Sequence, residues 1–222
     1  ARYIEEKERD STLLEFVLKM DANKKNWRIR YHLPDSLTGL ASDLSKEALQ
    51  SKVIPFYQTL VKDSEHEVRS NALNQFVGFA KTVHQRFGDK ELTIPIVEAM
   101  KDLAKDPSHH VRASLVGVFS GAVGDLSENF VRTQLMDLML GLLKDEVIDV
   151  KLLTIRSISC LYPYLTPAII RERVISEFKT IAADKNWKLR YEVLKALPAL
   201  LETGHEELID EFVQLNELLN LR

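Results

Sequence analysis

The apolar residues of the chain fall in two alternating phases. Five basic residues, Arg30, Arg69, Arg112, Lys151 and Arg190, mark the first phase. One position before them stand Ile29, Val68, Val111, Val150 and Leu189. Three positions after stand Leu33, Ala72, Leu115, Thr154 and Val193. The same frame continues through Leu37, Phe76, Phe119, Ile158 and Leu197, then Leu40, Phe79, Ala122, Leu161 and Leu200. Steps of four, four and three put each set on one face of a helix. Thr154 is the single polar member.

The second phase lies upstream of each marker. Asp63, Asp106, Asp145 and Asp184 stand six positions before their basic residues. Ahead of each Asp the apolar steps are three, three and one. They run Ile54/Tyr57/Leu60/Val61, Val97/Met100/Leu103/Ala104, Met136/Met139/Leu142/Leu143 and Ile175/Phe178/Ile181/Ala182. The pattern predicts a first helix, a turn holding Asp, and a second helix, repeated five times. The markers are spaced by 39, 43, 39 and 39 residues. A period near 40 predicts an array of stacked helix pairs, because one pair cannot bury its own apolar faces.

Punctuation residues fit this frame. Gly88, Gly124 and Gly204 follow second helices, where glycine favours the closing cap. The link from Arg86 to Glu91 is expected to be the longer one, absorbing the spacing of 43. Pro55 and Pro95 are placed near the start of first helices, where a missing N–H costs least. Pro34, Pro163 and Pro198 fall within or late in second helices and are expected to kink or end them. Leu13 to Met20 read as the opening first helix, with Lys24 where Asp is expected. The tail from Leu208 to Leu221 reads as the first helix of an incomplete sixth repeat. The expected repeats are 1–44, 45–87, 88–126, 127–165 and 166–204, with 205–222 partial. The start, Ala1-Arg2-Tyr3, resembles neither a signal peptide nor an initiating Met, and the expectation is a piece of a longer array.

Composition narrows function. A net charge of −3 without a block of like charges argues against nucleic acid or a membrane surface as main partner. One cysteine, Cys160, excludes an intrachain disulfide and suits a reducing compartment. His109 and His110 are adjacent, without a third ligand at metal spacing, and read as exposed turn residues. Cys160 reads as a small buried residue. The chain lacks a phosphate-binding glycine loop and the common hydrolase motifs. The turn aspartates have two structural uses. They can accept from the N–H groups that open the second helix, or pair with Arg69, Arg112 or Arg190 of their own or the adjacent repeat. Trp27 and Trp187 stand in turns four repeats apart, in the related strings Asn26-Trp27-Arg28-Ile29-Arg30 and Asn186-Trp187-Lys188-Leu189-Arg190. Each can pack across its own turn or serve as a binding anchor.

Two-helix units of this length, with Asp in the turn and Val-Arg opening the second helix, resemble HEAT repeats. The two Trp turns, with Lys62-Asp63-Ser64-Glu65-His66-Glu67-Val68-Arg69 and Leu143-Lys144-Asp145-Glu146, resemble the central repeats of the scaffold (A) subunit of protein phosphatase 2A. Lys24, Lys151 and Lys188 depart from that pattern. The resemblance implies an all-α, curved right-handed solenoid with no catalytic activity, cofactor or metal. It implies a phosphatase catalytic subunit and a regulatory B-type subunit as partners, held along the intra-repeat turns. Trp27 and Arg28 would face the regulatory subunit, and Trp187 and Lys188 the catalytic one. Glu65, His66 and His109 are the further turn positions assigned to partner contact. A cytoplasmic location, extending to the nucleus, goes with that assignment. The alternative is another HEAT adaptor, such as a nuclear-transport receptor or a chromosome-associated scaffold.

Overall fold

The structure is a computed structural model that describes residues 5, 8–20, 26–88, 90–122, 128–202 and 206–220. Among these residues there are helices and turns and no strand. The chain divides into two compact units, 1–125 and 126–222, parting after the third repeat.

In the first unit, α1 (Leu14–Lys19) is followed by α2 (Trp27–Tyr31) and α3 (Leu33–Leu40). Then come α4 (Ile54–Val61), α5 (His66–Phe87), α6 (Ile94–Met100) and α7 (His109–Ala122). First helices pack on first helices, α4 against α6. Second helices pack on second helices, α3 against α5 and α5 against α7. The second unit repeats this two-layer scheme. It holds α8 (Met136–Leu142), α9 (Ile148–Ser157), α10 (Ser176–Ala182), α11 (Trp187–Leu201) and α12 (Ile209–Asn220). Here α9 packs on α11, and α12 packs on α10 and α11, where a further first helix belongs.

The two apolar phases form the core. Val68, Ala72, Phe76 and Phe79 of α5, and Val150, Thr154, Ile158 and Leu161 in and just after α9, are buried. So are Ile54, Tyr57, Leu60 and Val61 of α4, and Phe178, Ile181 and Ala182 of α10 with Ile175 just before it. Burying one such aliphatic or aromatic side chain stabilises by about 1.5–3 kcal/mol. The buried polar members are satisfied within the same frame. The Thr154 hydroxyl donates to Val150 O at 2.8 Å, and the Tyr57 hydroxyl donates to Ala72 O at 2.7 Å. Ile29 and Leu40 are only half-buried. Ile29 precedes the interruption at His32, where Pro34 lacks the N–H that would continue α2 into α3, and Leu40 is the last residue of α3.

Two sequence expectations are corrected. Pro55 is second in α4, as expected, but α4 continues an earlier helix, so its missing N–H does not fall at a free helix start. That helix begins at Lys46, capped by the Ser45 hydroxyl, which accepts from Ala48 N at 3.1 Å. A wide, π-type turn over Leu49–Val53 then leads into α4. Proline is not its cause, because the same wide turn recurs at Arg9–Leu13, Val131–Leu135 and Ile170–Ile175 without one. The longer spacing of 43 is not a long link either. The extra residues extend α5 to 22 residues, and Gly88 then closes it at φ 64°, where a side chain would be strained. The extension is anchored at both sides: Arg86 donates to Ala41 O at 3.3 Å, and His84 meets the buried Thr93 hydroxyl at 2.9 Å. Pro163 lies in the 3-10 turn Ile158–Tyr164 that ends the fourth second helix, as expected. Pro198 lies in the last turn of α11, which ends at Leu201. Lys24, Gly124 and Gly204 lie outside the described residues.

Candidate protein-interaction site

The turns between first and second helices are built by one device. Each aspartate accepts from the backbone N–H two residues on: Asp63 from Glu65 at 2.9 Å, Asp106 from Ser108 at 2.9 Å, Asp145 from Val147 at 2.8 Å and Asp184 from Asn186 at 2.7 Å. This satisfies a donor that the start of a helix leaves open. The marker arginine of the same repeat reaches back to the aspartate's own carbonyl. Arg69 donates to Asp63 O, Arg112 to Asp106 O and Arg190 to Asp184 O, each at 2.7 Å.

The carboxylate–guanidinium pairing runs to the next repeat. Arg30 forks onto Asp63 at 2.6 and 2.9 Å, and Arg69 onto Asp106 at 2.7 and 2.8 Å. Paired forks of this kind are the strong form of the charge-assisted bond. Burial disfavours the charged form of Asp63, but the Arg30 fork, the Glu65 N–H and the Ser64 hydroxyl outweigh it and hold its carboxyl below the usual range. Lys151 breaks the series. Its side chain has no hydrogen-bond or ion-pair partner among the described residues. A lysine lacks the planar fork that the slot uses. The contact between α9 and α11 is made one turn later, where Arg156 donates to Glu192 at 2.8 Å.

The sequence-assigned contact residues differ in setting. Trp27 is half-buried, with its ring edge-on to Tyr31 at 6.5 Å and the Arg28 guanidinium 4.8 Å over its face. Trp187 is 62% exposed, beside exposed Lys188, at a turn closed by Asn186, whose side chain accepts from Lys188 N at 3.0 Å. Glu65 is half-buried, held by the Asp63 cap. His66, His109 and His110 come together. The His66 and His110 rings stack at 6.2 Å, and those of His109 and His110 lie 4.0 Å apart. Although adjacent in sequence, His109 and His110 bring their rings together. They sit at the first turn of α7, and His66 adds a ring from the neighbouring turn. No group of three His, Cys, Asp or Glu among the described residues is placed to hold a metal ion. Burial pushes the Cys160 thiol up to about 11, so it is protonated at neutral pH. No helix among the described residues is long and apolar enough to cross a membrane.

Sequence reasoning missed Tyr191, Arg156, Glu192 and Lys195. Tyr191 is 52% exposed, one turn beyond Trp187, with Lys195 Nζ 5.5 Å from its ring centroid. For Arg156, Glu192 and Lys195 the signal was available by aligning second helices at positions two and five after the marker; Tyr191, at position one, repeats Tyr31 of the first Trp string.

These features define the chain as a helical-repeat solenoid of the armadillo/HEAT type, a scaffold-type fold. Residues 46–126 match the family model for the PPP2R1A-like HEAT repeat. No curated protein matches the chain in sequence. Among solved structures, the chain is similar to Cex1p, with 16% identity and a TM-score of 0.66 over 87% of its length, spanning 36% of Cex1p. It is also similar to a designed armadillo repeat protein in complex with the peptide (KR)4, with 15% identity and a TM-score of 0.56 over 94% of this chain and 100% of the other. A computationally designed armadillo repeat protein for modular peptide recognition aligns with 14% identity and a TM-score of 0.53, over 93% and 99% of the two chains.

Proposed function

We propose that the chain is part of a non-catalytic scaffold of a 2A-type serine/threonine protein phosphatase. Its intra-repeat turns bind a catalytic subunit and a regulatory B-type subunit. The PPP2R1A-like match over 46–126 and the paired Trp turns support this reading. The similar designed armadillo proteins, named for peptide recognition and a peptide complex, support a protein or peptide as the kind of partner.

The observation that carries the proposal is the exposed Trp187 beside Lys188. The interior of its repeat is filled by Leu189, Val193, Leu197 and Leu200. A wide aromatic left in water next to a cation has no folding role there, and such residues anchor interfaces at low entropy cost. Trp27 and Arg28 are the regulatory-side contact, with Glu65, His66 and His109 along the turns between. Location in the cytoplasm, and in the nucleus, belongs to the same proposal.

The test is capture of purified phosphatase catalytic and regulatory subunits on the immobilised chain. Trp187→Ala is expected to weaken catalytic-subunit capture about tenfold, equivalent to ~1.4 kcal/mol, with the melting temperature unchanged. Trp27→Ala is expected to affect the regulatory subunit instead. Wild-type chain that retains neither subunit would refute the assignment.

A further inference from the structure

At two seams between second helices three slots can be compared: position five of one helix, which meets position two of the next, and position five of that next helix. Between α3 and α5 these slots hold Asp35, Asn71 and Asn74. Asn71 donates to Asp35 at 2.7 Å and to Tyr31 O at 2.6 Å, so that seam is closed by an amide and carries a formal charge of −1. Between α9 and α11 the same slots hold Arg156, Glu192 and Lys195. The frame is identical and its charge is reversed to +1.

The second seam is also open. A groove of about 270 Å³ lies along it, lined by Arg156, Ser159, Glu192, Lys195, Ala196 and Ala199. Glu192 is buried at its floor, its side chain 8% exposed. Arg156 donates to one of its oxygens at 2.8 Å, and Lys195 approaches the other at 3.7 Å. One carboxylate therefore orients two cations and neutralises one of them. The Nε and Nη1 donors of Arg156 have no acceptor among the described residues, and both cationic side chains are more than half exposed. Ser159 adds a hydroxyl, and the two alanines leave room for a chain to approach. The volume is below the ~300–1,000 Å³ usual for drug-sized ligands and suits one side chain.

We propose that the groove between α9 and α11 binds a carboxylate side chain of an acidic protein segment, with Arg156 as the donor and Lys195 as the second cation. Glu192 is a positioning residue: it holds both cations over the groove and does not touch the ligand. This deepens the scaffold reading and rests on it, by giving the second unit a charge preference for its partners that the first unit lacks.

The test uses the full 222-residue chain and a fluorescein-labelled hexaglutamate peptide, read by anisotropy at low salt. Hexalysine and hexaglutamine are the control peptides. Wild type is expected to bind hexaglutamate and neither control. The double variant R156Q/K195Q is expected to weaken binding at least tenfold. The charge-matched double variant K19Q/K62Q, outside the groove, is expected to change it less than twofold. Arg156→Lys, which keeps the cation, is expected to lose an intermediate amount and serves if the double variant melts early. Equal losses in the two double variants would show binding by net charge alone and overturn the proposal. Hexalysine binding as tightly as hexaglutamate would overturn it too, as would no binding by wild type at millimolar peptide. No phosphatase subunit is present in this assay. Its failure leaves the capture experiment with Trp187→Ala untouched, and failure of that capture leaves the groove's peptide preference standing.

Discussion

The two units solve one problem, joining second helices across a repeat boundary, with different chemistry. In the first unit Arg30 and Arg69 fork onto Asp63 and Asp106, and Arg30 and Asp106 are buried. The pairs lie at the turns, where each aspartate also caps a helix. In the second unit the slot carries Lys151, and the join moves along the helix to Arg156 and Glu192. First helices of that unit add exposed pairs, Arg173 with Asp137 and Arg171 with Glu211. Each fork gives its aspartate one arginine partner, so removing that arginine leaves the charge uncompensated, whereas Glu192, although buried, has a second cation in Lys195. The first seam is therefore suited to holding register. The second leaves cations in solvent, where they are available to a partner.

The core should not distinguish the units. Phe119→Ala and Phe178→Ala each remove a fully buried ring and are expected to cost ~3–5 kcal/mol in urea melts. A loss under 1 kcal/mol at either would break the assignment of the apolar phase there.

The turn pairs should distinguish them. Arg30→Ala is expected to destabilise by about 3 kcal/mol, because it strands the Asp63 side chain, only 9% exposed. Arg156→Ala is expected to cost less, about 1–2 kcal/mol, because Lys195, 3.7 Å from the same carboxylate, still compensates buried Glu192. Equal costs would erase the contrast. Acid sharpens it. The folded-state carboxyls of Asp63 and Glu192 are held low, the latter chiefly by the hydrogen bond from Arg156. Their contribution is present above the unfolded values near ~4 and is lost as pH falls through the lower folded values. Melting temperature should thus hold from about pH 7 to 5 and fall below about 4. Asp63→Asn should start lower and fall less.

Lys151→Arg restores the fork opposite Asp184 and is expected to stabilise the second unit by about 1 kcal/mol. No gain would show that the register between α9 and α11 differs from that of the first unit. The two tryptophans provide the smaller effects. Trp27→Ala is expected to cost about 1 kcal/mol, through loss of its edge-on ring contact and the Arg28 stacking. Trp187→Ala is expected to change stability by less than about 0.5 kcal/mol, as an exposed substitution. The reverse order, read by thermal melts of the two variants, would exchange the roles of the two turns.

Which faces are buried could be read from the residue pattern alone. The three-and-four spacing of Val68, Ala72, Phe76 and Phe79, or of Ile175, Phe178 and Ile181, is a local property of a helix, and each repeat carries its own copy. The aspartate caps were equally legible, since donor and acceptor lie two residues apart. The PPP2R1A-like resemblance was legible in the turns for the same reason. Contacts with partners one repeat away came from packing instead. Both the own and the adjacent repeat were open to Arg69, and packing sent its fork to Asp106 and its remaining donor to Asp63 O. His66 meets His110 across 44 residues of chain, and Arg156 meets Glu192 across 36. Such pairs depend on the register between stacked helices. That register is set by how whole side-chain surfaces interlock, and no single helix encodes it.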